Sequence, residues 1–128
     1  MKTASEIQSA LNQFCGTENW YKWSVLFPNV VLTEGAKYLA DVADCYWLMD
    51  AIASYQPECK KDEMLRDFQV WTLKVNPDKT ATLICERDRG NVAFKQELEY
   101  TDFPLKEIKM YCNPLDENVQ CILLTGEY

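Results

Sequence analysis

The spacing of apolar residues changes near residue 60, and this change restricts the folds that the chain can adopt. Before that point apolar side chains follow a helical period, as Ile7, Ala10, Leu11 and Phe14 do with their i, i+3, i+4, i+7 spacing. After it apolar and polar residues alternate, most clearly over 91–100, which is the period of a half-buried strand. The pattern therefore predicts a helical first half and a β second half.

Local signals place the helices of the first half. Thr33 precedes a run of helix-forming residues and predicts an amino-terminal cap, while Ser5 and Gln8 fit a capping box. Asp44 marks a bend between two helices, and Pro57 is expected to end the second of them. The predicted helices cover 5–14, 34–43 and 45–56, and the polar stretch 58–63 is interpreted as a solvated connector.

Turn residues recur at short intervals in the second half and separate five predicted strands. These strands cover 68–75, 80–86, 91–100, 108–112 and 119–124. In the first half, a strand around 20–27, a turn at Pro28 and Asn29, and a short return strand at 30–32 also fit the sequence.

Successive strands joined by short turns are typical of an antiparallel meander. We therefore predict an α+β fold, in which N-terminal helices pack on one face of a mostly antiparallel meander sheet of about five strands. A chain of 128 residues is expected to form a single domain over 1–128.

The chain contains no histidine, which narrows the chemistry open to it. Histidine is the commonest general base and the commonest metal ligand. Its absence excludes Ser-His-Asp and Cys-His catalytic sites and histidine zinc sites built within one chain. The sequence also lacks the glycine-rich phosphate-binding motifs. It therefore predicts no cofactor and no metal site, and it favours a protein that is not an enzyme.

The charge of the chain indicates the class of partner. The net charge is −7 and the sequence pI is about 4.6, so direct binding to nucleic acid is not expected and a basic protein partner is favoured. The amino terminus does not resemble a signal peptide, and no run approaches the ~20 apolar residues that span a membrane. The expected location is cytoplasmic. Two copies could pair through exposed edge strands into a dimer, but the sequence does not decide the oligomeric state.

Six cysteines are spread widely along the chain, at positions 15, 45, 59, 85, 112 and 121. The spacings include no C-x-x-C pair, which disfavours a zinc ribbon or finger. Several of the cysteines lie within apolar runs, where a free thiol behaves as a small hydrophobic side chain. The sequence thus predicts reduced, structural thiols.

Asp50 is the candidate catalytic residue, because it interrupts the otherwise apolar segment 46–53. On a helix it shares a face with Trp47 and Ser54. A carboxylate buried beside an indole has a raised pKa and can act as a general acid or base. Alternatively, Asp50 and Ser54 mark a narrow solvent-facing strip of the helix, or Asp50 accepts a hydrogen bond from a nearby backbone group or tyrosine hydroxyl.

Trp20, Tyr21 and Trp23 form the densest aromatic cluster outside the predicted core helix. Exposed Trp and Tyr side chains often carry much of the binding energy of a protein interface, so these three residues are candidate interface anchors. The alternative is that they fill the space between helix and sheet.

Several phrases of the sequence together resemble a family of small bacterial proteins, also met in phage and mobile-element contexts, whose function is unknown. The phrases are Leu11-x-x-Phe14-x-Gly16-Thr17-Glu18, Thr33-x-Gly35-x-x-Tyr38-Leu39-Ala40, Tyr46-Trp47-Leu48-x-Asp50-x-Ile52-Ala53, Phe68-x-Val70-Trp71 and Thr101-Asp102-Phe103-Pro104-Leu105. The resemblance covers nearly the whole chain and implies a complete single-domain protein of bacterial type. It implies no catalytic residue and no ligand.

Three functional hypotheses follow from the sequence. The favoured one is a module that binds or inhibits another protein through an acidic, aromatic-bearing surface. The second is a carboxylate-based hydrolase or lyase that uses Asp50. The third is a small-molecule-binding protein with an aromatic-lined pocket between helix and sheet.

Overall fold

A computed structural model describes residues 3–14 and 19–128, and within these ranges the fold is α+β with a mostly antiparallel sheet. The helices are α1 (Ala4–Leu11), α2 (Glu34–Val42), α3 (Tyr46–Ser54), α4 (Gln56–Cys59) and α5 (Glu63–Asp67), followed near the carboxyl end by a 3₁₀ turn, Thr125–Glu127. The strands are β1 (Tyr21–Ser24), β2 (Phe27–Leu32), β3 (Gln69–Val75), β4 (Ala81–Glu86), β5 (Val92–Leu98), β6 (Glu107–Asp116) and β7 (Val119–Leu124).

All seven of these strands form one sheet in the order β1-β2-β7-β6-β3-β4-β5. Strand β2 pairs with β7 in parallel, and every other neighbouring pair is antiparallel. The first half of the chain therefore contributes two strands to the sheet that we expected from the second half alone. These are the two short strands that the sequence allowed. Strand β1 pairs with β2, and β2 joins them to the sheet by pairing with the last strand, β7.

The predicted meander is wrong, because β6 does not continue beside β5. It crosses back to pair with β3, which gives the spatial order 4-1-2-3 of a Greek key. The connection 99–106 is not a tight turn, since it buries Thr101, Phe103 and Leu105. The backbone N–H of Thr101 donates to the carbonyl of Lys79 at 2.8 Å, which holds the connection across the end of the sheet.

The structure confirms the predicted cap of one helix and moves the predicted cap of another. Thr33 caps α2 as predicted, since its hydroxyl accepts the N–H of Ala36, and Asp44 makes the bend with a φ of 50°. At α1 the cap is Thr3, whose hydroxyl accepts the N–H of Glu6 at 3.2 Å, so the capping box at Ser5 is wrong.

The predicted connector 58–63 is partly helical, so the described residues contain the short helices α4 and α5 in addition to the three helices that were expected. Pro57 lies in the first turn of α4 instead of stopping the helical region, because proline needs no N–H partner in a first turn. Asp62 caps α5 by accepting the N–H groups of Met64 and Leu65. Helix α5 buries only Leu65, which is too little apolar periodicity for sequence analysis to detect. In the part of the chain that the model describes, no helix is long and apolar enough to span a membrane.

The core lies between the helices and one face of the sheet. Paired residues on neighbouring antiparallel strands share a face, so Trp71 and Met110, which lie opposite each other, both face the helices. They pack with Leu39 of α2 and with Met49 and Ile52 of α3, all fully buried.

Buried amides join the short helices to the sheet. Gln56 of α4 and Gln69 of β3 exchange two hydrogen bonds of 2.9 and 2.8 Å, and Gln69 also accepts the indole N–H of Trp71 at 2.8 Å. Buried polar groups are costly unless they are paired, so these bonds fix where α4 lies on the sheet.

Glu127 ties the 3₁₀ turn to the start of α2. Its buried carboxylate accepts hydrogen bonds from the hydroxyl of Thr33 at 2.6 Å, from the N–H of Gly35 at 3.1 Å and from the N–H of Leu124 at 3.0 Å. A Cβ atom at Gly35 would lie 2.5 Å from Glu127 Oε1, so only glycine allows this close approach.

The substitution Glu127→Ala should lower the free energy of unfolding by about 2 kcal/mol, because it removes the acceptor of three hydrogen bonds in a buried environment. Urea unfolding followed by circular dichroism would measure the change. The matched control is Glu117→Ala in the exposed turn between β6 and β7, which should alter stability by less than ~0.5 kcal/mol. Equal effects of the two substitutions would contradict the role of Glu127.

The described cysteines are all free and buried, as the sequence predicted: Cys45, Cys59, Cys85, Cys112 and Cys121. Burial raises the pKa of Cys45, Cys59 and Cys121 to about 12, and it also raises the pKa values of Cys85 and Cys112. Cys15 lies outside the described residues.

In a Cys15→Ser background, the folded protein should react with Ellman's reagent on the order of 100-fold more slowly than the denatured protein. The thiolate is the reactive form, and burial suppresses both its formation and its access to reagent. Five thiols should titrate rapidly in denaturant. Rapid reaction of all five in the folded protein would show that the thiols are not protected.

Candidate functional site

The β1–β2 hairpin forms one edge of the sheet and presents two apolar residues at its tip. Val25 is 95% exposed and Leu26 is 79% exposed. The turn is held locally, since the N–H of Leu26 donates to the hydroxyl of Ser24 at 3.1 Å. Apolar side chains exposed at a well-formed turn contribute little to the core, and contiguous apolar exposure often marks an interaction site.

Trp23 fixes this hairpin against the helices. Its indole N–H donates to the Asp50 carboxylate of α3 at 2.8 Å, and its ring stacks on Tyr46 with centroids 5.6 Å apart and an interplanar angle of 18°. The Tyr46 hydroxyl donates to Asp41 at 2.5 Å, and Lys37 donates to the same carboxylate at 2.8 Å. A continuous row of side chains therefore links the hairpin to α3 and α2.

These contacts change the titration of two members of the row. The hydrogen bond from Lys37, followed by that from Tyr46, lowers the pKa of Asp41. The same carboxylate raises the pKa of Tyr46, because it accepts the phenol proton and its negative charge disfavours the phenolate. The negative charge of Asp44, two residues earlier in the chain, also raises the pKa of Tyr46.

Asp50 lies at the surface of α3, as does Ser54. This agrees with the interpretation of the two residues as a solvent-facing strip, with the addition that Asp50 accepts the Trp23 indole. Trp47 is directed elsewhere, toward a depression that it shares with Leu98 and Tyr100. A catalytic role for Asp50 stays a prediction, and it lacks the burial beside Trp47 on which it was based.

The structure separates the three aromatic residues that the sequence grouped. Trp23 contacts α3, and Tyr21 lies on the same side because it pairs with the buried Leu32. Trp20 precedes β1, and its side chain lowers the pKa of the Cys121 thiol, which lies on the sheet face opposite to that of Ile122 and Leu32. Neighbouring strand residues alternate between faces, so a run of adjacent aromatics cannot all join one surface.

Sequence reasoning missed Val25 and Leu26, because it placed the turn at Pro28 and Asn29 instead. Pro28 and Asn29 belong to β2. The chain turns earlier, at Val25 and Leu26, and does so without glycine, proline or asparagine. The only local signal was Ser24, whose side chain can support a turn two residues later.

We use the name hairpin surface for the exposed or half-exposed residues of this region. It comprises the apolar and aromatic residues Tyr21, Trp23, Val25, Leu26 and Tyr46 and the carboxylates Asp41, Asp44 and Asp50.

A cavity of about 240 Å³ lies beneath the tip of the hairpin, between β2, β7 and the helices α3 and α4. Its walls include Leu26, Phe27, Ala53 and Pro57, so it contains one aromatic residue and is not the aromatic-lined pocket of the third hypothesis. Polar residues also line it, among them Gln56, Lys60 and Gln120.

Residues 5–128 match the model of DUF6876, which is described as a family of unknown function. No curated protein and no solved structure matches the chain.

The substitution Asp41→Asn should lower the pKa of Tyr46 toward the ordinary value of about 10, because the phenol then loses its anionic acceptor. The ¹³Cζ signal of Tyr46 in protein labelled at tyrosine would report the titration, with Tyr46→Phe used to assign the signal. Asp67→Asn on α5 provides a control that should leave the titration unchanged. An identical titration curve in Asp41→Asn would contradict the hydrogen bond.

Proposed function

Because the chain belongs to DUF6876, a family of unknown function, its role has to be inferred from the site, and we propose that it is a protein-interaction module that binds through the hairpin surface. The single observation that carries this proposal is the apolar tip of the hairpin. Tips of this kind are usually polar, whereas Val25 and Leu26 are among the most exposed apolar side chains described.

Aromatic side chains extend the apolar tip into a larger patch. Tyr21 is 41% exposed and Tyr46 is 42% exposed, and Trp23 lies between the tip and Tyr46. Tyr and Trp supply large contact areas with few rotatable bonds, which is why they are common at the centres of interfaces. The patch therefore has the composition expected of binding anchors.

The packing of Trp23 favours binding by holding the hairpin in place beforehand. The bond to Asp50 and the stack on Tyr46 connect β1 to α3, so little motion remains to be lost when a partner binds. A surface ordered before association avoids part of the entropic cost of binding. In this account Asp50 is a positioning residue rather than an acid or base.

The charge at the border of the patch favours a basic partner. Asp41 accepts the Tyr46 hydroxyl, while Asp44 lies two residues before Tyr46 and Asp50 one helical turn after it. The chain as a whole carries a net charge of −7. Lys37 offsets one of these charges through its ion pair with Asp41. Complementary charge accelerates association and makes it sensitive to salt.

Pairing of two copies through β1 is a weaker candidate. The strand has only four residues, and its register with β2 is interrupted between Lys22 and Ser24. Short and irregular edge strands oppose strand-to-strand association. We therefore propose a different protein as the partner.

The double substitution Val25→Ser and Leu26→Ser should leave the fold intact and weaken partner binding at least about tenfold, because it removes exposed apolar anchors without touching the core. Affinity capture from a lysate of the native host would supply the partner, and calorimetry with the purified pair would measure the dissociation constant. The wild-type complex should also weaken as salt is raised.

The matched control is Tyr100→Ser, which replaces a side chain that is 71% exposed. Tyr100 lies just beyond the end of β5, the strand at the other edge of the sheet. The Tyr100→Ser variant should bind the partner as the wild type does. Unchanged affinity in the double variant, or equal loss in the control, would refute the hairpin surface as the binding site.

A further inference from the structure

Strand β5 forms the edge of the sheet opposite to the hairpin, and among the described residues it pairs with β4 alone. None of the residues of β5 is buried, whereas nearly all of β7, inside the sheet, is buried. The outward-facing backbone N–H and C=O groups of an edge strand are a template for another strand. The far edge of the sheet can therefore accept a further strand.

The regular part of β5 has a defined centre. Its register with β4 is unbroken from Phe94 to Leu98 and shifts only before Phe94, whereas the register of β1 already breaks after Lys22. We call residues 94–98 the edge segment, and Gln96 is its middle residue. An antiparallel pair of two identical strands has a twofold axis, so two edge segments overlap fully only when Gln96 lies opposite itself.

The edge segment carries two exposed charges of opposite sign. Lys95 and Glu97 both lie on the sheet face that points away from the helices, and the ammonium and carboxylate are 3.6 Å apart. The hydroxyl of Thr82 donates to the Glu97 carboxylate at 2.9 Å, which holds that side chain in place. With Gln96 opposite itself, Lys95 of each copy lies opposite Glu97 of the other copy. Facing charges of opposite sign stabilise paired strands.

The same charges disfavour the neighbouring registers. A pair centred on Lys95 places two ammonium groups opposite each other, and a pair centred on Glu97 places two carboxylates opposite each other. Facing like charges destabilise paired strands, which is how charged edges usually prevent association. Of these three registers, only the one centred on Gln96 joins opposite charges.

The other face of the edge segment carries apolar side chains. Phe94 packs on Tyr55 of α3's carboxyl end, and Leu98 lies opposite the buried Ala81, so both point toward the helices. Both remain half-buried. In the register centred on Gln96, Phe94 of each copy lies opposite Leu98 of the other, so pairing covers apolar surface that a single copy leaves accessible.

We propose that two copies of the chain form a symmetric dimer in which their edge segments pair antiparallel, with Gln96 opposite itself. The inference goes beyond the proposed function and does not rest on it, because β5 and the β1–β2 hairpin lie at opposite edges of the sheet. Pairing at β5 makes one continuous sheet across both copies and leaves one hairpin surface free at each far edge.

Sedimentation equilibrium of the purified protein over a range of concentrations tests the dimer. The contact involves only the short edge segment of each copy and buries little surface, so we expect a dissociation constant on the order of 100 μM. A protein that stays monomeric at concentrations about tenfold above that value would overturn the proposal.

Charge reversal tests the facing pairs. Lys95→Glu and Glu97→Lys should each weaken dimerisation at least about tenfold, because each places like charges opposite each other. The matched control is Lys109→Glu, an exposed lysine on the same face of β6, three strands away from β5. It changes the net charge as Lys95→Glu does and should dimerise as the wild type does. Equal loss in the control would assign the effect to net charge and overturn the pairing.

An equimolar mixture of Lys95→Glu and Glu97→Lys separates a contact between copies from an effect within one copy. Each variant lacks its own ion pair between positions 95 and 97, but in a mixed dimer every facing pair again has opposite charges. The mixture should therefore dimerise at least as strongly as the wild type, although neither variant does so alone. A mixture that stays monomeric would contradict the facing arrangement.

Cross-linking checks the register in a Cys15→Ser background, in which the described native cysteines are all buried. Gln96→Cys places a thiol opposite its own copy at a separation that a disulfide can span, so mild oxidation should join two chains. Glu99→Cys is the control, because in this register its thiol faces Ala93 and is remote from its own copy. Equal cross-linking of the two variants would overturn the register.

Discussion

The parallel pairing of β2 with β7 is the constraint on which the rest of the molecule depends. It joins Val30, Val31 and Leu32 to residues about 90 positions later in the chain, and it is the only parallel contact in the described sheet. Without it the first hairpin would be a separate two-stranded element, which is marginally stable in water. With it, the hairpin becomes the edge of a seven-stranded sheet and acquires a fixed position relative to α3.

The register of that pairing also determines what surrounds the hairpin. Val30 lies opposite Gln120, which places both residues in the wall of the cavity, and Leu32 lies opposite Ile122, just before α2 begins. Thr33 then reaches both the Ile122 carbonyl and the Glu127 carboxylate. Placement of the 3₁₀ turn against α2 and formation of the cavity are therefore consequences of one alignment. A shift of one residue would reverse every side chain of β2 between the two faces.

Sequence analysis found what local chemistry determines and missed what distant pairing determines. Helix α2, its cap at Thr33 and the bend at Asp44 follow from short-range signals, as do the positions of the second-half strands. The Greek-key crossing and the parallel pair depend on strands that lie far apart in sequence. The spacing of apolar residues within a strand does not indicate which distant strand it pairs with. The candidate site shows the same difference between local and distant signals. Asp50 and Trp23 were both singled out, but no local pattern indicates that residues 27 positions apart share a hydrogen bond.

The distance along the chain between β2 and β7 also has a consequence for protein synthesis. A ribosome adds roughly 5–20 residues per second, so β2 waits on the order of 5–20 seconds for the strand that completes its pairing. During that interval the apolar tip residues and aromatics of the hairpin exist without the cavity, the Glu127 contacts to the start of α2 or a finished sheet. The hairpin surface therefore reaches its final order late in translation, once β7 has been made.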